Sequence, residues 1–270
     1  MDARVLLANR GPLATRVVTG TVLITVAVAA VWQGGTAFTA LVALATLLMF
    51  AEWAVMHDLT RGFRLAGMVV LAGVIALAAY GPVSQALLAL IGAAVLLGVF
   101  ARNFDRQRVG WIIAGLLYCG LPAIALLMLR GHPAPLGVAL TVWTLGIVWA
   151  TDIFAYFAGR AIGGPKLAPA ISPNKTWAGL AGGVAGAAVT SMLLAQAFGG
   201  SIAVYRYALI AGAVLAVFAQ GGDLFESWMK RHTGLKDSGR LLPGHGGVLD
   251  RLDGLVPVAV ISAIGFAAVL

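Results

Sequence analysis

Residues 65–101 read LAGMVVLAGVIALAAYGPVSQALLALIGAAVLLGVFA, a stretch of 37 residues without a charged side chain. A helix needs about 20 apolar residues to cross a bilayer, so this stretch is long enough for two crossings. Gly81 and Pro82 stand near its middle, in the segment YGPVSQ, and both residues are typical of turns. The stretch therefore predicts two membrane-spanning helices joined by a short turn.

The rest of the chain repeats this pattern. Uncharged runs also cover residues 17–51, 109–129, 131–151, 176–205, 207–222 and 254–270, and WQGGT at residues 32–36 breaks the first of them. Of the 270 residues, 61% are hydrophobic and 10% are charged, whereas roughly 25% are charged in soluble domains. We therefore predict an all-α, polytopic integral membrane helical bundle of about nine transmembrane helices. The predicted spans are 17–32, 36–56, 64–80, 83–101, 109–129, 135–158, 176–198, 205–226 and 252–269.

The basic residues fall mainly on one side of the predicted helices. Sixteen of the 18 Lys and Arg residues precede the first helix or lie in alternate connections, and only Arg130 and Arg206 lie on the other side. The positive-inside rule then places the N-terminus in the cytoplasm and the C-terminus outside. This asymmetry also accounts for most of the net charge of +8. We expect no nucleic-acid partner, because no soluble module carries a basic face.

The two parts of the chain differ in polarity. Residues 1–130 hold the first five predicted membrane helices and short basic turns. Residues 131–270 hold helices 6 to 9 with cytoplasmic loops at 160–175 and 227–251, and we expect the catalytic groups there. Glu52, near the inner end of helix 2, is costly to bury and either reaches interfacial water or lines a cavity. The single Cys119 lies in an apolar run, where a packing role is expected.

Half of the ten acidic residues lie within 31 positions near the end of the chain: Asp223, Glu226, Asp237, Asp250 and Asp253. Asp223 and Glu226 are three residues apart, as are Asp250 and Asp253, so each pair would share one face of a helix. Two facing acidic pairs at a membrane boundary suit a hard cation such as Mg²⁺. Asp223 and Asp250 are the favoured ligands, although ordinary salt bridges with nearby basic side chains would also explain these acids.

Basic and glycine-rich segments accompany the acids. Lys and Arg side chains give charge-assisted hydrogen bonds to phosphate, and glycines let backbone N–H groups approach an anion. The segment PGHGG at residues 243–247 has this character, although glycines also make simple loops and His245 could be a hydrogen-bonded loop residue. The basic residues of this region are Lys230, Arg231, Lys236, Arg240 and Arg251. A metal together with such groups suits phosphoryl or nucleotidyl transfer.

The segment SPNKT at residues 172–176 precedes another predicted helix. We predict that Ser172 caps this helix and that Pro173 takes its first position. A helix N-terminus attracts anions, and Lys175 adds a full charge, although capping alone is the simpler explanation. Asp152, near the inner end of helix 6, is expected to meet a metal, a substrate group or Lys175.

Two segments carry a recognisable signature. Residues 227–253 match the pattern S-x-hydrophobic-K-R, K-D, P-x-H-G-G and D-R-x-D at every constrained position. Residues 152–177 are similar to D-[ST]-x-A-Y-x-x-G-[RK] followed by S-P-x-K-T-W, with Ile153 in place of Ser or Thr. Ala178 stands where Glu or Gln is common. On these motifs the chain resembles the phosphatidate cytidylyltransferases, also called CDP-diacylglycerol synthases.

The resemblance implies transfer of CMP from CTP to phosphatidic acid, which gives CDP-diacylglycerol and pyrophosphate for phospholipid biosynthesis. It implies Mg²⁺ held by Asp223 and Asp250, with a second cation left open. The implied catalytic residues are Asp223, Lys230, Arg231, Asp250 and Arg251. The implied substrate-binding residues are Asp152, Ser172, Lys175, Thr176, Lys236, Asp237, His245, Gly246 and Gly247. It also implies a homodimer in the inner (plasma) membrane of a bacterium, with the active site facing the cytoplasm.

Two other functions stay open. Another membrane lipid phosphotransferase or a lipid kinase would use similar groups, but the D-G-x-x-A-R motif of the CDP-alcohol phosphotransferases is not found. A transporter or flippase for anionic lipid would need polar residues near the middle of several helices, whereas here they gather at the inner ends.

Overall fold

The computed structural model describes residues 12–104, 106–235, 237–239 and 246–268, with side chains from residue 17 onward. These residues form ten helices and one two-stranded β-hairpin. The helices are α1 (Pro12–Gln33), α2 (Gly35–Met56), α3 (Arg61–Tyr80), α4 (Val83–Ala101), α5 (Val109–Gly131), α6 (Leu136–Ile162), α7 (Trp177–Ala197), α8 (Ile202–His232), α9 (Leu249–Leu252) and α10 (Leu255–Ala267). The hairpin consists of β1 (Lys166–Ala168) and β2 (Ser172–Thr176).

Seven of the described helices, α2 to α8, are long and apolar enough to cross a membrane. They have 19 to 31 residues, and a crossing needs about 20. Val17–Gln33 of α1 and all of α10 are shorter apolar segments. The prediction of an all-α, polytopic membrane bundle is confirmed, while the count of nine crossings and the orientation of the N-terminus stay predictions. Helix α8 continues to His232, so Lys230 and Arg231 lie on a helix rather than in the predicted loop.

A glycine and an arginine close the turn between α1 and α2. Gly34 has a φ of +68°, in the left-handed region that favours glycine. A Cβ there would lie 2.3 Å from the guanidinium group of Arg130. This guanidinium donates hydrogen bonds to the carbonyl oxygens of Val31 at 2.7 Å and Trp32 at 3.1 Å. Arg130 therefore satisfies carbonyl groups that the end of α1 leaves unpaired.

Helix α5 lies at the centre of the first half of the bundle. It packs against α2, α3, α4 and α10. Leu116 and Cys119 on α5 are almost fully buried, which agrees with the packing role expected for the cysteine. The same hydrophobic cluster contains Trp53 of α2, together with Met229 and Leu249 from the second half. Helices α2 to α5 therefore share a core with the segments on either side of the α8–α9 connection.

Glycines let α7 approach α6 closely. A Cβ at Gly183 would lie 3.0 Å from the carbonyl oxygen of Thr151, and one at Gly182 would lie 2.2 Å from the Cβ of Ala158. Small residues are common where membrane helices pack at short distance. This packing holds the end of α6, which carries Asp152, beside the junction of β2 and α7.

The segment SPNKT forms strand β2, so the predicted helix start at Ser172 is wrong. The strand pairs with β1 in antiparallel fashion, with Thr176 opposite Lys166 and Ser172 opposite Ala168. A residue before proline is biased toward extended backbone, which favours a strand at Ser172. Thr176 is the actual N-cap, because its Oγ1 accepts a hydrogen bond of 3.0 Å from the backbone N–H of Gly179.

Candidate active site

Four polar side chains lie along one face of α8 near the end of that helix. Asp223, Glu226, Ser227 and Lys230 are spaced so that each falls three, four or seven positions after the first. Such spacings align side chains on one face of an α-helix. Met229, outside this set, is fully buried in the hydrophobic cluster. Helix α8 therefore presents acids and a base together on a single polar face.

Lys230 joins α8 to α9 through two carboxylates. Its Nζ lies 2.6 Å from Oε2 of Glu226 and 2.8 Å from Oδ1 of Asp250. The side chains of Lys230, Glu226 and Asp250 are 14%, 1% and 10% exposed. Neither oxygen of Glu226 has hydrogen-bond geometry with a partner, so its contact with Lys230 is an ion pair rather than a well-formed hydrogen bond. One ammonium group thus lies between two buried acids.

Backbone N–H groups hold the carboxylate of Asp250 from the loop between α8 and α9. Ser238 N donates to Oδ1 at 3.2 Å and to Oδ2 at 3.1 Å, and Gly247 N donates to Oδ2 at 2.9 Å. Burial alone would raise the pKa of Asp250, but the ammonium group of Lys230 and the N–H of Gly247 outweigh it and hold that pKa well below its ordinary value. Asp250 is therefore a carboxylate at neutral pH.

Two of the glycines predicted to bind substrate, Gly246 and Gly247, lie against this carboxylate. Gly246 has a φ of +83°, and a Cβ there would lie 2.9 Å from Oδ2 of Asp250. Gly247 gives its N–H to the same oxygen. The backbone of these glycines therefore approaches an anionic group of the protein itself, and binding of a substrate phosphate by the glycines stays a prediction.

Lys175 forms a second ion pair with α8. Its Nζ lies 2.6 Å from Oδ2 of Asp223 and donates a hydrogen bond of 3.0 Å to Oε1 of Gln220. Lys175 lies within strand β2, next to Thr176, and pairing of Thr176 with Lys166 of β1 fixes this part of the strand. The charges of Lys175 and Asp223 also act on the carboxyl groups of Asp152 and Asp253. Segments far apart in sequence therefore meet around Asp223.

The carboxylate oxygens of Asp223 and Asp250 are the described groups to compare with the predicted Mg²⁺ site. Among the described residues, no group of three or more His, Cys, Asp or Glu side chains is arranged to hold a metal ion. Oδ1 of Asp223 receives a long contact of 3.4 Å from Oγ of Ser227, and a carboxylate oxygen can accept a second partner. The oxygens of Asp250 already accept N–H groups, but a carboxylate oxygen has two lone pairs. Mg²⁺ commonly takes one or two carboxylates and completes its shell with water and phosphate oxygens.

The remaining predicted site residues differ in their exposure. Arg231, Asp237 and Arg251 are exposed, and the charge of Arg251 acts on Asp152, which is also exposed. Thr176 is buried and its hydroxyl is engaged in the helix cap. Lys236 and His245 lie outside the described residues. The structure thus brings Lys175, Asp223, Lys230 and Asp250 to one end of the bundle.

Sequence reasoning missed Glu52, Gln220 and Ser238 as parts of this site. Gln220 receives Lys175, and Ser238 contacts Asp250 through its backbone. Glu52 accepts hydrogen bonds from the loop that holds Asp250. An acidic residue inside an apolar helix was the available signal for Glu52. For Gln220 and Ser238 the sequence contains no comparable signal, because their partners lie far along the chain.

Comparison with known proteins identifies the family of this chain. The model of the cytidylyltransferase family matches residues 14–269. A phosphatidate cytidylyltransferase from Brucella abortus is 44% identical over 255 residues, which cover 92% of this chain and 91% of that protein. A protein of the same name from Rickettsia bellii is 37% identical over 174 residues, which cover 62% of this chain and 74% of that protein. Another from Bacillus subtilis is 40% identical over 156 residues, which cover 57% of each chain. The chain belongs to the cytidylyltransferase family.

Proposed function

We propose that this protein transfers CMP from CTP to phosphatidic acid, forming CDP-diacylglycerol and pyrophosphate. The observation that carries the proposal is the pair of sheltered lysines, Lys175 and Lys230, each held by carboxylates at one end of a membrane bundle. Cations in a partly desolvated site bind phosphate more strongly than cations in water. The names of the relatives indicate a reaction between a nucleotide and a lipid that carries phosphate.

The reaction needs charge neutralisation more than it needs a strong base. An oxygen of the lipid phosphate attacks the α-phosphorus of CTP, and a new P–O bond forms. The bond between the α-phosphorus and the oxygen that bridges to the β-phosphate breaks, and pyrophosphate leaves. The lipid phosphate is already ionised at neutral pH, so no side chain has to remove its proton. Repulsion between two anions is the main obstacle, and preorganised positive charge lowers it.

Each charged group has a role in this scheme. Lys175 and Lys230 are placed to exchange carboxylate oxygens for phosphate oxygens when substrates enter. Arg231 and Arg251, which are exposed, would hold outer phosphate oxygens of the nucleotide. Asp223 and Asp250 would hold Mg²⁺. The ion would neutralise charge that develops on the transferred phosphoryl group.

The site is proposed to face the cytoplasm of a bacterial cell, in the inner membrane, where CTP is present. The excess of basic residues in the connections at this end of the bundle supports that orientation. A homodimer remains a proposal from the family resemblance. Cysteine labelling tests the orientation, because the single native cysteine, Cys119, is buried. Gly131 is expected on the outer side and Asn103 on the inner side. In spheroplasts, an impermeant maleimide should therefore label a Gly131→Cys variant directly and an Asn103→Cys variant only after permeabilisation. The reverse pattern would contradict the orientation.

The reaction itself is tested with purified protein in mixed micelles that contain CTP, phosphatidic acid and Mg²⁺. We expect CDP-diacylglycerol and an equal amount of pyrophosphate, and no product when diacylglycerol replaces phosphatidic acid. A lipid kinase would instead phosphorylate diacylglycerol, and a transporter would consume no CTP; either result would overturn the proposal. The Asp250→Asn variant should lose turnover, whereas the matched Asp58→Asn variant should retain it, because Asp58 pairs with Arg108 away from the lysines.

A further inference from the structure

A buried carboxylate from the first half of the chain holds the loop that precedes α9. Glu52 on α2 is 4% exposed. Its Oε1 accepts a hydrogen bond of 3.0 Å from the backbone N–H of Val248, and its Oε2 accepts one of 2.8 Å from that of Leu249. Oε2 also accepts the hydroxyl of Ser238 at 3.2 Å. These donors lie 186 to 197 positions away in sequence. The three hydrogen bonds compensate for the burial of the charge.

The same loop is shared between two carboxylates. Ser238 gives its hydroxyl to Glu52 and its backbone N–H to Asp250. Gly247 gives its N–H to Asp250, and the next two residues give theirs to Glu52. Along residues 247–249 the acceptor of the backbone N–H groups therefore changes once, from the carboxylate of Asp250 to the carboxylate of Glu52. The same short loop segments bind both carboxylates. A shift of these segments away from Glu52 would therefore also move the N–H groups that hold Asp250.

Two glycines show how closely the loop encloses Glu52. A Cβ at Gly239 would lie 2.4 Å from Oε1, and a Cβ at Gly247 would lie 2.6 Å from Oε2. Real Cβ atoms do not approach a carboxylate oxygen so closely. The loop backbone therefore follows the surface of this one side chain on both of its described segments, residues 237–239 and 246–248.

We propose that Glu52 is a positioning residue for the nucleotidyl transfer: it fixes the loop and α9 so that Asp250 and Lys230 keep their places in the site. The inference deepens the proposed function and rests on it. Glu52 contacts the loop rather than the reacting groups, so it acts through Asp250. Both of its side-chain oxygens act as acceptors, and together they receive three hydrogen bonds. A glutamine would place an NH₂ donor opposite one set of donors and would lose at least one of these bonds.

The test uses the full-length Glu52→Gln variant, with Asp58→Asn as the matched control. Asp58 is a carboxylate at the end of the same helix, with a φ of +53° that asparagine tolerates. Hydrogen–deuterium exchange is measured on peptides that cover residues 246–252, alongside thermal stability in detergent. We expect exchange in these peptides to rise about tenfold or more in Glu52→Gln, because the amide of Val248 or that of Leu249 then faces an NH₂ group and loses its acceptor, while exchange in α5 stays unchanged.

The kinetic readout is the Mg²⁺ concentration that gives half-maximal activity, together with kcat per folded protein. Replacing outer-shell partners of a metal ligand commonly costs about 10- to 100-fold in metal affinity or activity. We therefore expect a rise of that order in the Mg²⁺ requirement of Glu52→Gln and none in Asp58→Asn. Fewer folded molecules would lower the rate but would leave this concentration unchanged.

The possible outcomes separate the two proposals. Unchanged exchange at residues 246–252 in Glu52→Gln would overturn the positioning role, whatever the activity. Increased exchange throughout the protein, with an unchanged Mg²⁺ requirement, would show a general structural role and would overturn it as well. If the wild-type protein forms no CDP-lipid, the proposed function fails, while the exchange experiment still decides whether Glu52 fixes the loop.

Discussion

Replacement of Lys230 with Met should destabilise the protein in a way that depends on pH. Lys230 is the ammonium group between Glu226 and Asp250, and all three side chains are at most 14% exposed. Breaking a buried ion pair by removing one partner costs about 3–5 kcal/mol. Uptake of a proton by one carboxylate limits this loss. Neutralising a glutamic acid of ordinary pKa costs about 4 kcal/mol at pH 7 and about 1 kcal/mol at pH 5.

The sign of the pH dependence follows from proton uptake. The folded variant binds one proton more than its unfolded chain between these pH values, so its stability falls as the pH rises. We therefore expect a loss of about 3–4 kcal/mol in the free energy of unfolding at pH 7 and about 1 kcal/mol at pH 5. Titration with sodium dodecyl sulfate in mixed micelles, followed by tryptophan fluorescence, measures both values.

A double variant provides the control for this experiment. In Lys230→Met combined with Glu226→Gln, the site no longer contains a surplus buried carboxylate, so most of the stability at pH 7 should return. A loss below about 1 kcal/mol at pH 7 for the single variant would refute the reasoning, because the cost of an unpaired buried charge exceeds that value. An equal loss at pH 5 and pH 7 would refute it too.

Further predictions concern the second ion pair and the enclosed loop. Lys175→Met should raise the KM for CTP about 10- to 100-fold, because a hydrogen bond to a charged group contributes about 1.5–3 kcal/mol. The control Lys166→Met replaces an exposed lysine of β1 and should leave the KM within a factor of two or so. An equal effect of both substitutions would contradict a specific contact. Gly247→Ala should lower kcat about tenfold or more, because its Cβ would lie 2.6 Å from the carboxylate of Glu52. Gly73→Ala, with no atom within 4 Å of the added Cβ, should retain full turnover, and normal turnover of Gly247→Ala would show that the loop can shift without consequence.

The membrane bundle could be predicted from the sequence because its signal is local. Long uncharged runs and punctuating residues such as Pro82 are visible without knowledge of any tertiary contact. The end of α8 was harder, because charged residues such as Lys230 and Arg231 are typical of loops next to a membrane. The helix continues there because Met229 is buried in the core while Lys230 faces carboxylates. Tertiary packing thus extended a helix that hydropathy alone ended too early.

The site was predictable in its composition but not in its pairings. The motifs indicated that Asp223, Asp250 and Lys230 act together, and the structure brings these residues to one end of the bundle. The strand at Ser172 depends on pairing with β1, and such a partner cannot be read from capping signals. The role of Glu52 depends on donors almost 200 positions away. Only the rarity of an acid in an apolar helix marked it.

The central claim, transfer of CMP to a lipid phosphate, is tested most directly by following two labels of CTP. Purified protein is supplied with phosphatidic acid and Mg²⁺, and with CTP that carries ³²P either at the α or at the γ position. The proposed reaction places the α label in the lipid product and the γ label in pyrophosphate, in equal amounts. Appearance of the γ label in lipid, or of neither label, would contradict the account.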